Sequence, residues 1–410
     1  MSPFRNFNVK ERHSFTLIEL LVVLAIVAIL SVVVILTLNP SELLKQARDS
    51  NRLSDLSTLN TALSAYSADV NGGFMGTSSV VYVSIPDTTS TCSNLGLPTL
   101  PSGWAYNCVT TTSTKLSDGR GWIPVNFSNI SFGSPLSSLP VDPVNTTNSR
   151  NYYTYISGGS WELSTTLEAA KNKMGGANDR VSTDGGGMPD LYETGNNLTL
   201  NPVDYGDTSL VGYWNFEEGA GGALYDRSGN NNTGVWSGTG TRWTTGRIGS
   251  WAGQFGTSTA DYVQLTSTGT ITSALNSNFT ISFWVSYSGT PYGALWGPRA
   301  GTHARIFGPF SGGGPGVGFT EENVANVGVA INTLGSWAFI TYTYDGISLR
   351  KYTNGSLVNT ASYVFNGSYT GAYRINDQIN KGQAASIDDF RVFNRALSLA
   401  EIQAIYNGSK

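Results

Sequence analysis

A long apolar segment near the N-terminus constrains the architecture of this chain more than any other feature. Of the 24 residues in Phe15–Leu38, 20 are apolar and only Glu19 is charged. As a helix the segment would be about 36 Å long, enough to cross a hydrocarbon core of roughly 30 Å. Arg5, Lys10 and Arg12 precede it, and this positive charge favours a cytoplasmic N-terminus. We therefore predict a single-pass anchor in the cytoplasmic membrane over residues 15–38, with the rest of the protein outside.

The segment does not have the form of a cleavable signal peptide, because its apolar run is too long and no small-x-small site follows it. Residues 14–21, SFTLIELL, resemble the processing site of type IV prepilins and type II secretion pseudopilins. The resemblance implies a leader over residues 1–14 that a prepilin peptidase removes between Ser14 and Phe15. It further implies that Phe15 is N-methylated and that Glu19 is the carboxylate used in filament assembly. Ser14 stands where the family usually has glycine, but it keeps the side chain small.

The charge on Glu19 has a physical role in such an assembly. An ionised carboxylate one turn into an apolar helix is costly unless it has a partner. In a filament, the Phe15 amine of one subunit could neutralise Glu19 of a neighbouring subunit. The alternative is a plain anchor, in which the Glu19 side chain extends to the lipid headgroups.

Residues 39–73 continue the helix as an amphipathic segment. Asn39-Pro40 predicts a break or kink, because the residue before a proline avoids the helical region. Apolar residues then recur at helical spacing, with one weak turn around Ser50 and Asn51, and residues 71–73 predict the end of the helix. The predicted polar face comprises Lys45, Arg48, Asp49, Arg52 and Asp55.

Residues 74–207 carry signals for short strands. The run Leu139–Pro143, a tyrosine-rich strand and residues 161–168 resemble the sheet hairpin of type IV pilin heads. The resemblance implies an α+β fold in which a long N-terminal helix packs on a small antiparallel sheet. Cys92 and Cys108 are the only cysteines, and we predict that they form a disulfide in this exported segment. Acids and glycines cluster at 178–190 and could bind a hard cation, although a solvated loop is the simpler interpretation.

Residues 208–410 show the regular turn signals of an all-β sandwich or jelly roll. Asp345-Gly346 and Asn354-Gly355 predict two tight hairpins in succession, and Ser398 with Glu401 predicts a capped C-terminal helix. The opening LVGYWNFEEGAGGALYDRSGNNNTG, the strand FTISFWV and the ending IDDFRVFNRALSLAEIQAIYNG resemble the laminin-G-like, concanavalin A-like jelly roll. The resemblance implies carbohydrate or protein binding, often with calcium.

Two acidic positions in this domain are the main calcium candidates that the resemblance implies. They are Asp226, in a turn, and Asp388, before the last strand, with Asn231 and Asp389 as secondary candidates. Two carboxylates and several turn carbonyls could form a cage for a hard cation. The alternative is structural, with Asp226 forming an Asx turn and Asp388 capping a strand.

Aromatic side chains in loops could form a sugar-binding surface. Most tryptophans of a sandwich lie in its core, so burial is the competing interpretation for each of them. The candidates for glycan binding are Trp236, Trp243, Tyr292 and Trp296.

Catalysis and nucleic-acid binding are not expected. Retaining glucanases of this fold need two carboxylates about 5–5.5 Å apart, whereas Glu217 and Glu218 are adjacent and would point to opposite faces of a strand. The chain has two histidines, too few for catalysis or zinc binding that needs several imidazoles. With a net charge of −4 and no basic stripe, it offers no surface for nucleic acid.

The sequence thus predicts a type IV pilus subunit, minor or at the tip, that displays a lectin-like domain for adhesion to glycans or surface proteins. Its predicted partners are other pilin subunits, the prepilin peptidase and methylase, the cytoplasmic membrane and a carbohydrate or protein ligand. Before assembly the protein would lie in the membrane, and afterwards at the cell surface. The alternatives are a type II secretion pseudopilin and an anchored surface protein that never polymerises.

Overall fold

Two consecutive helices open the fold. The computed structural model describes residues 16–157, 159–266, 269–288, 294–298, 305–307, 316–320, 327–330, 335–362, 372–376 and 384–409. Helix α1 (Leu17–Leu38) is followed by α2 (Pro40–Asp69), and Asn39 between them adopts a left-handed conformation with φ 39°. The break predicted at Asn39-Pro40 is therefore present. Within the part of the chain that the structure describes, no helix has the length and apolar character needed to cross a membrane.

A five-stranded sheet follows the helices, in the order β2-β1-β3-β4-β5. Strand β2 runs parallel to β1, whereas the other neighbours are antiparallel. The predicted antiparallel sheet is thus mixed at one edge, because the chain between β1 and β2 crosses over instead of forming a hairpin. The strands are β1 (Val80–Val83), β2 (Ala105–Asn107), β3 (Thr154–Ser157), β4 (Trp161–Thr165) and β5 (Tyr192–Gly195).

One face of α2 packs on this sheet. Leu59 and Leu63 are fully buried and share a core with Tyr155 and Leu163 of the sheet. Helix α2 is continuous through the predicted weak turn at residues 50–51. We refer to α2, the sheet and their loops, residues 40–207, as the head.

The predicted polar face of α2 is only partly exposed. Asp49 and Arg52, which the pattern assigns to solvent, are fully buried. The prediction was wrong for these two residues because their charges are paired within the head, which helical periodicity cannot reveal.

Two eight-stranded sheets form an all-β sandwich, as predicted for the C-terminal half. The strands are β6 (Leu210–Trp214), β7 (Ala223–Leu224), β8 (Gly234–Trp236), β9 (Trp243–Thr245), β10 (Trp251–Phe255), β11 (Val263–Leu265), β12 (Phe279–Tyr287), β13 (Ala294–Pro298), β14 (Arg305–Phe307), β15 (Gly316–Thr320), β16 (Val327–Ala330), β17 (Ala338–Tyr344), β18 (Ser348–Thr353), β19 (Ser356–Ser362), β20 (Tyr373–Ile375) and β21 (Ala385–Phe393). One sheet has the order β19-β18-β17-β12-β21-β10-β9, with β6 also paired to β21, and the other has the order β16-β15-β14-β13-β20-β11-β8-β7.

Two short helices complete the sandwich, α3 (Gly269–Leu275) and α4 (Leu399–Gly408). Ser398 and Glu401 form the predicted capping box at the start of α4. The core between the sheets contains large aromatic side chains such as Trp214, Phe283 and Phe390. We refer to residues 208–409 as the sandwich.

A separate hydrophobic core lies where the head and the sandwich meet. It includes Ile156 and Leu191 from the head, Trp284 and Phe339 from the sandwich, and Ile405 of α4. Backbone hydrogen bonds also join the two parts, from the Asp204 amide to the Arg227 carbonyl at 2.7 Å and from the Thr99 amide to the Gly229 carbonyl at 3.2 Å. The sandwich is therefore packed against the head and not attached by a free linker.

Candidate functional site

The predicted processing site lies at the edge of the described chain. Ser14 and Phe15 are outside the described residues, whereas Glu19 lies in the first turn of α1. The Glu19 carboxylate accepts hydrogen bonds from the Thr16 backbone nitrogen and from the Thr16 hydroxyl, each at 2.8 Å. The Glu19 side chain is exposed in the single chain.

The predicted disulfide between Cys92 and Cys108 is present, with a Cα–Cα distance of 5.3 Å. Both cysteines are buried in the core shared by the head and the sandwich. The loop that they close includes Thr99, whose amide bonds to the sandwich at Gly229. The disulfide thus constrains a loop that is hydrogen-bonded to the sandwich.

The two main calcium candidates, Asp226 and Asp388, use their carboxylates to accept hydrogen bonds from backbone amides of the chain. Asp226 accepts hydrogen bonds on both oxygens, from the amides of Tyr213 and Ser228 on Oδ1 and from that of Asn232 on Oδ2. Asp226 is also buried, which raises its pKa. This geometry corresponds to the structural alternative, a carboxylate that organises a turn.

Asp388 and Asp389 are similarly engaged in contacts within the chain. Asp388 accepts hydrogen bonds on Oδ2 from the amides of Arg247 and Ile248, at 2.8 and 3.0 Å. The Asp389 carboxylate is paired with the Arg391 guanidinium. Asn231 is exposed, with φ 59°.

These residues therefore do not fit a calcium cage, which needs about six to eight oxygens. No group of three or more histidine, cysteine, aspartate or glutamate side chains in the described ranges has the geometry to hold a metal ion. We derive no step through a bound cation.

The acidic and glycine-rich loop is folded and not freely solvated. Asp184 accepts hydrogen bonds from the amides of Gly186 and Glu193, at 2.8 and 2.6 Å. Burial raises the pKa of Asp184 to about 7. Glu193 and Glu162 are both buried, and burial raises the pKa of each, with the facing Glu162 raising that of Glu193 further. Burial and the facing carboxylate thus both favour the protonated form of Glu193.

Two of the four glycan candidates are core residues. Trp236 and Trp296 are 6% and 1% exposed, so neither can serve as a binding platform. Both lie between the sheets, because the alternation of side chains along β8 and β13 points them inward. Their predicted placement in loops was wrong. Trp243 is half-buried on β9 and contacts Trp236, with ring centroids 5.5 Å apart. Tyr292 lies outside the described residues.

Glu217 and Glu218 lie in a turn after β6 and not on a strand. Glu217 accepts hydrogen bonds from the amides of Ser250 and Trp251. Glu218 accepts one from the Tyr225 amide and lies 3.8 Å from an Arg227 nitrogen. Each carboxylate thus has a separate structural contact.

A cavity of about 590 Å³ lies between the head and the sandwich. We call it the junction cavity and define it by six of its lining residues: Trp104, Gly187 and Met188 from the head, and Tyr213, Arg227 and Arg391 from the sandwich. Trp104 is half-buried, whereas Met188, Tyr213 and Arg391 are buried.

Arg391 is a buried charged residue at the junction cavity. Its guanidinium is paired with Asp389, donates to the Tyr213 hydroxyl at 3.1 Å and lies 4.3 Å from the centre of the Tyr213 ring. Its Nε is buried and has no hydrogen-bond partner within the described structure, and the same is true of Arg227 Nε.

Sequence reasoning did not identify this cavity. Its lining residues extend from Trp104 to Arg391, which are 287 residues apart in the chain, and no local motif links them. The one local signal is the glycine run at 185–187, which the sequence pattern relates to a cation site or to a solvated loop.

Comparison with known families gives two matches. Residues 10–35 match the prokaryotic N-terminal methylation motif. Residues 256–403 match the concanavalin A-like lectin/glucanases superfamily. No curated protein sequence matches the chain.

Comparison with solved structures finds partial similarity to several toxin and enzyme domains. The binding domain of paraclostridial mosquitocidal protein 1 has 20% identity and a TM-score of 0.40, and the match covers 48% of this chain and 52% of that chain. The binding domain of botulinum neurotoxin DC, solved with rat synaptotagmin II, has 20% identity, a TM-score of 0.41 and coverages of 49% and 52%. Domain 4 of the arabinanase AbnA from Geobacillus stearothermophilus, solved with arabinotriose, has 18% identity, a TM-score of 0.40 and coverages of 48% and 98%. This chain thus spans about half of each toxin domain.

Proposed function

We propose that this chain, which carries a prokaryotic N-terminal methylation motif and a concanavalin A-like domain, is a minor or tip subunit of a type IV pilus that displays a binding domain for glycans or surface proteins. The observation that carries the proposal is the direct continuity from the methylation motif at 10–35 through α1 and α2 into the head. A chain of this form can be processed at one end and present a folded domain at the other.

In this proposal the N-terminal segment anchors the subunit in the membrane and then forms the shaft of the filament. After cleavage, Phe15 would supply a free amine to Glu19 of a neighbouring subunit. Pairing these charges would remove the cost of an ionised carboxylate within an apolar bundle. The exposure of Glu19 in the single chain supports this role.

The fold of the head supports assignment to the pilin class. Helix α2 lays its apolar face on a small sheet through Leu59 and Leu63. We propose that this helix and sheet correspond to a pilin head, with the sandwich added after the last strand of the sheet. The added domain is about as large as the head, which favours a minor or tip subunit over one repeated along the whole shaft.

We propose that the sandwich binds its ligand without catalysing a reaction. Glu217 and Glu218 each have their own structural contacts and are not arranged as a facing pair. A two-carboxylate hydrolysis mechanism needs such a facing pair.

The N-terminal mass of the protein recovered from sheared surface filaments tests the proposal. A chain that begins with methylated Phe15 in this fraction is the expected result. A chain that retains Met1 and is found only in membranes would contradict it and leave an anchored binding protein. Glu19→Ala distinguishes these cases further, because it should abolish filament incorporation but leave the display of a non-polymerising anchored protein unchanged.

A type II secretion pseudopilin is the second candidate, because the methylation motif is common to both classes. A pseudopilus is short, whereas a pilus extends from the cell. Electron microscopy with an antibody to the sandwich separates the two, since labelling of long filaments favours the pilus.

A further inference from the structure

We propose that a basic loop of the head docks on anionic phospholipid headgroups at the outer surface of the membrane. The loop comprises residues 170–180, and we call it the basic loop. It carries three exposed cations, Lys171, Lys173 and Arg180. This docking rests on the proposed function, in which residues 15–38 anchor the subunit in the membrane before assembly, and it gives the head a lipid partner of its own.

Hydrogen bonds attach the basic loop to the first turns of α2. The Ala170 amide donates to the Glu42 carboxylate at 2.7 Å, and Lys171 Nζ donates to Gln46 Oε1 at 2.9 Å. Glu42 and Gln46 are one helical turn apart and so lie on one face of α2. The basic loop therefore lies beside the part of α2 that directly follows the predicted membrane span.

Two backbone hydrogen bonds bring the ends of the basic loop together. The Asn178 amide donates to the Lys171 carbonyl at 2.7 Å, and the Arg180 amide donates to the Asn172 carbonyl at 2.9 Å. Arg180 is thereby held next to the segment that carries Lys171 and Lys173. The three cations thus belong to one compact surface.

The distance from the predicted span places this surface at the headgroups. If Leu38 marks the outer edge of the hydrocarbon, Glu42 lies about 6 Å and Gln46 about 12 Å beyond it along a helix. The headgroup layer extends about 5–8 Å beyond the hydrocarbon. A tilt of α2 or the break at Asn39-Pro40 brings both residues closer to the bilayer. Lysine and arginine side chains on a loop at this level have the length to reach lipid phosphates.

The carboxylates near the basic loop are engaged in other contacts. Glu42 lies 3.7 Å from the Lys45 ammonium, and Glu168 is paired with Arg52 at 2.7 Å. Asp179, within the loop itself, accepts hydrogen bonds from backbone amides. None of these carboxylates is paired with a cation of the basic loop.

The positive charge of the loop is therefore available to an external anion. Among the residues that the structure describes, neither Lys173 nor Arg180 has an ion-pair partner. The chain as a whole has a net charge of −4, so this excess of positive charge is local. A cation near an anionic lipid surface strengthens attachment about fivefold.

Exposed apolar side chains favour a bilayer over a soluble anion or an acidic protein. Leu43 and Leu44, in the first turn of α2, are 48% and 61% exposed. They continue the exposed apolar surface of α1 up to the level of the basic loop. Apolar residues beside basic ones are typical of protein surfaces that lie at a membrane interface. A soluble anion would leave these leucines in water, whereas the edge of a bilayer covers them.

The experiment measures contact between the basic loop and lipid in the full chain. The chain is reconstituted into phosphatidylcholine vesicles with or without phosphatidylglycerol, and a fluorophore is attached at Ala177→Cys, an exposed position of the loop. A quencher on the lipid headgroups reports contact. We expect stronger quenching in the vesicles that contain phosphatidylglycerol, and we expect salt to weaken it because ions screen the charges.

The double variant Lys173→Gln, Arg180→Gln tests the cations directly. At about fivefold for each cation, the ratio of docked to undocked loop should fall roughly 25-fold. Lys171 is kept in this variant because its ammonium bonds to Gln46. Circular dichroism confirms folding, and if the variant does not fold, the lipid and salt dependence of the wild type decides.

The double variant Lys115→Gln, Arg120→Gln is the matched control. Both side chains are exposed, and the pair removes the same charge as the test variant. Their segment lies towards the opposite end of α2, since the Phe127 amide donates to the Ser117 carbonyl and the Phe127 ring contacts that of Tyr66. The quenching should therefore equal that of the wild type.

The outcomes separate this docking from the proposed function. Quenching that is equal in the two kinds of vesicle, or that is unchanged in the folded test variant, would overturn the docking. Quenching that appears only at high protein density would assign the loop to a second copy of the chain and would also overturn it. Flotation with the vesicles reports on the anchor separately. A chain that floats without quenching keeps the anchor and loses only the docking, whereas a chain that does not float would overturn both.

Discussion

Arg52 donates two hydrogen bonds to the carboxylate of Asp142, from Nε to Oδ2 at 2.6 Å and from Nη2 to Oδ1 at 3.0 Å, and both side chains are fully buried. Arg52 Nη1 also donates to Asp49 at 2.9 Å and to Glu168 at 2.7 Å. One guanidinium thus joins α2 to two separate segments of the head. These contacts hold the first half of α2 in a defined position against the loops that carry Asp142 and Glu168.

Replacing Arg52 with methionine should strongly destabilise the head. The substitution keeps much of the side-chain volume but leaves three carboxylates near one another without their common partner. Removing one member of a buried ion pair typically costs about 3–5 kcal/mol. Urea unfolding followed by circular dichroism measures this loss directly.

Arg48→Met is the matched control for this prediction. Arg48 also pairs with Glu168, at 2.6 Å, but its side chain is 32% exposed. Ion pairs that remain in contact with water contribute about 1 kcal/mol or less. Equal losses for the two substitutions would contradict a special role for Arg52.

Features fixed by neighbouring residues could be predicted from the sequence. The hairpins at Asp345-Gly346 and Asn354-Gly355 connect β17 to β18 and β18 to β19, and Gly346, Asn354 and Gly355 have the positive φ angles that tight turns require. The capping box at the start of α4 and the break at Asn39-Pro40 depend on equally local rules. These signals depend only on neighbouring residues, so distant contacts in the chain do not alter them.

Features created by distant contacts could not be predicted in this way. Arg52 has the spacing of a solvent-facing residue, and its burial depends on Asp142, which is 90 residues away. Arg391 and Tyr213, which meet at the junction cavity, are separated by 178 residues. Only the tertiary packing of the chain brings such groups together, so local patterns do not predict these contacts.

The contact between α4 and the head should be sensitive to a single methyl group. Gly175 has φ 74°, and a Cβ added there would lie 2.7 Å from the Glu401 backbone nitrogen and 2.8 Å from the Ala400 carbonyl carbon. Gly175→Ala should therefore cost well over the roughly 1–2 kcal/mol of a left-handed alanine, because the head and α4 must also separate. Differential scanning calorimetry should show a lower melting temperature for the variant.

Gly185→Ala isolates the backbone part of that cost. Gly185 has φ 90°, and nothing lies within 4 Å of an added Cβ. We expect a loss of about 1–2 kcal/mol from backbone strain alone. If Gly175→Ala is no worse than Gly185→Ala, the head and the sandwich are not tightly coupled through α4.

Breaking the disulfide should destabilise the head and its contact with the sandwich. Cys92 and Cys108 are separated by 16 residues, and closing a loop of that length contributes about 3 kcal/mol. The Cys92→Ala, Cys108→Ala double variant should melt at a lower temperature than the wild type. A reductant should lower the melting temperature of the wild type but leave that of the double variant unchanged. Detection of two free thiols by intact mass without reductant would contradict the prediction.

Buried carboxyls should make the folded chain more stable in mild acid than in mild alkali. Burial and the neighbouring Asp389 raise the pKa of Asp388 from 3.8 to about 8, and burial raises that of Asp184 to about 7. A carboxyl with a raised pKa binds its proton more tightly in the folded chain than in the unfolded chain. Its contribution to stability is therefore complete below the unfolded pKa and is lost as the pH rises towards the folded pKa.

The melting temperature should therefore fall between pH 5 and pH 8, by several degrees if the loss reaches a few kcal/mol, since about 1 kcal/mol corresponds to roughly 2–4 °C in domains of this size. Asp388→Asn removes one titrating group while its amide oxygen can still accept from Arg247 and Ile248, so its melting temperature should depend less on pH. Asp345→Asn is the control, because hydrogen bonds from the Ser348 amide and Arg350 hold the pKa of Asp345 at about 2. Its removal should leave the dependence between pH 5 and pH 8 unchanged. A wild-type melting temperature that stays constant or rises over this interval would contradict the assignment of protonated carboxyls to the folded chain.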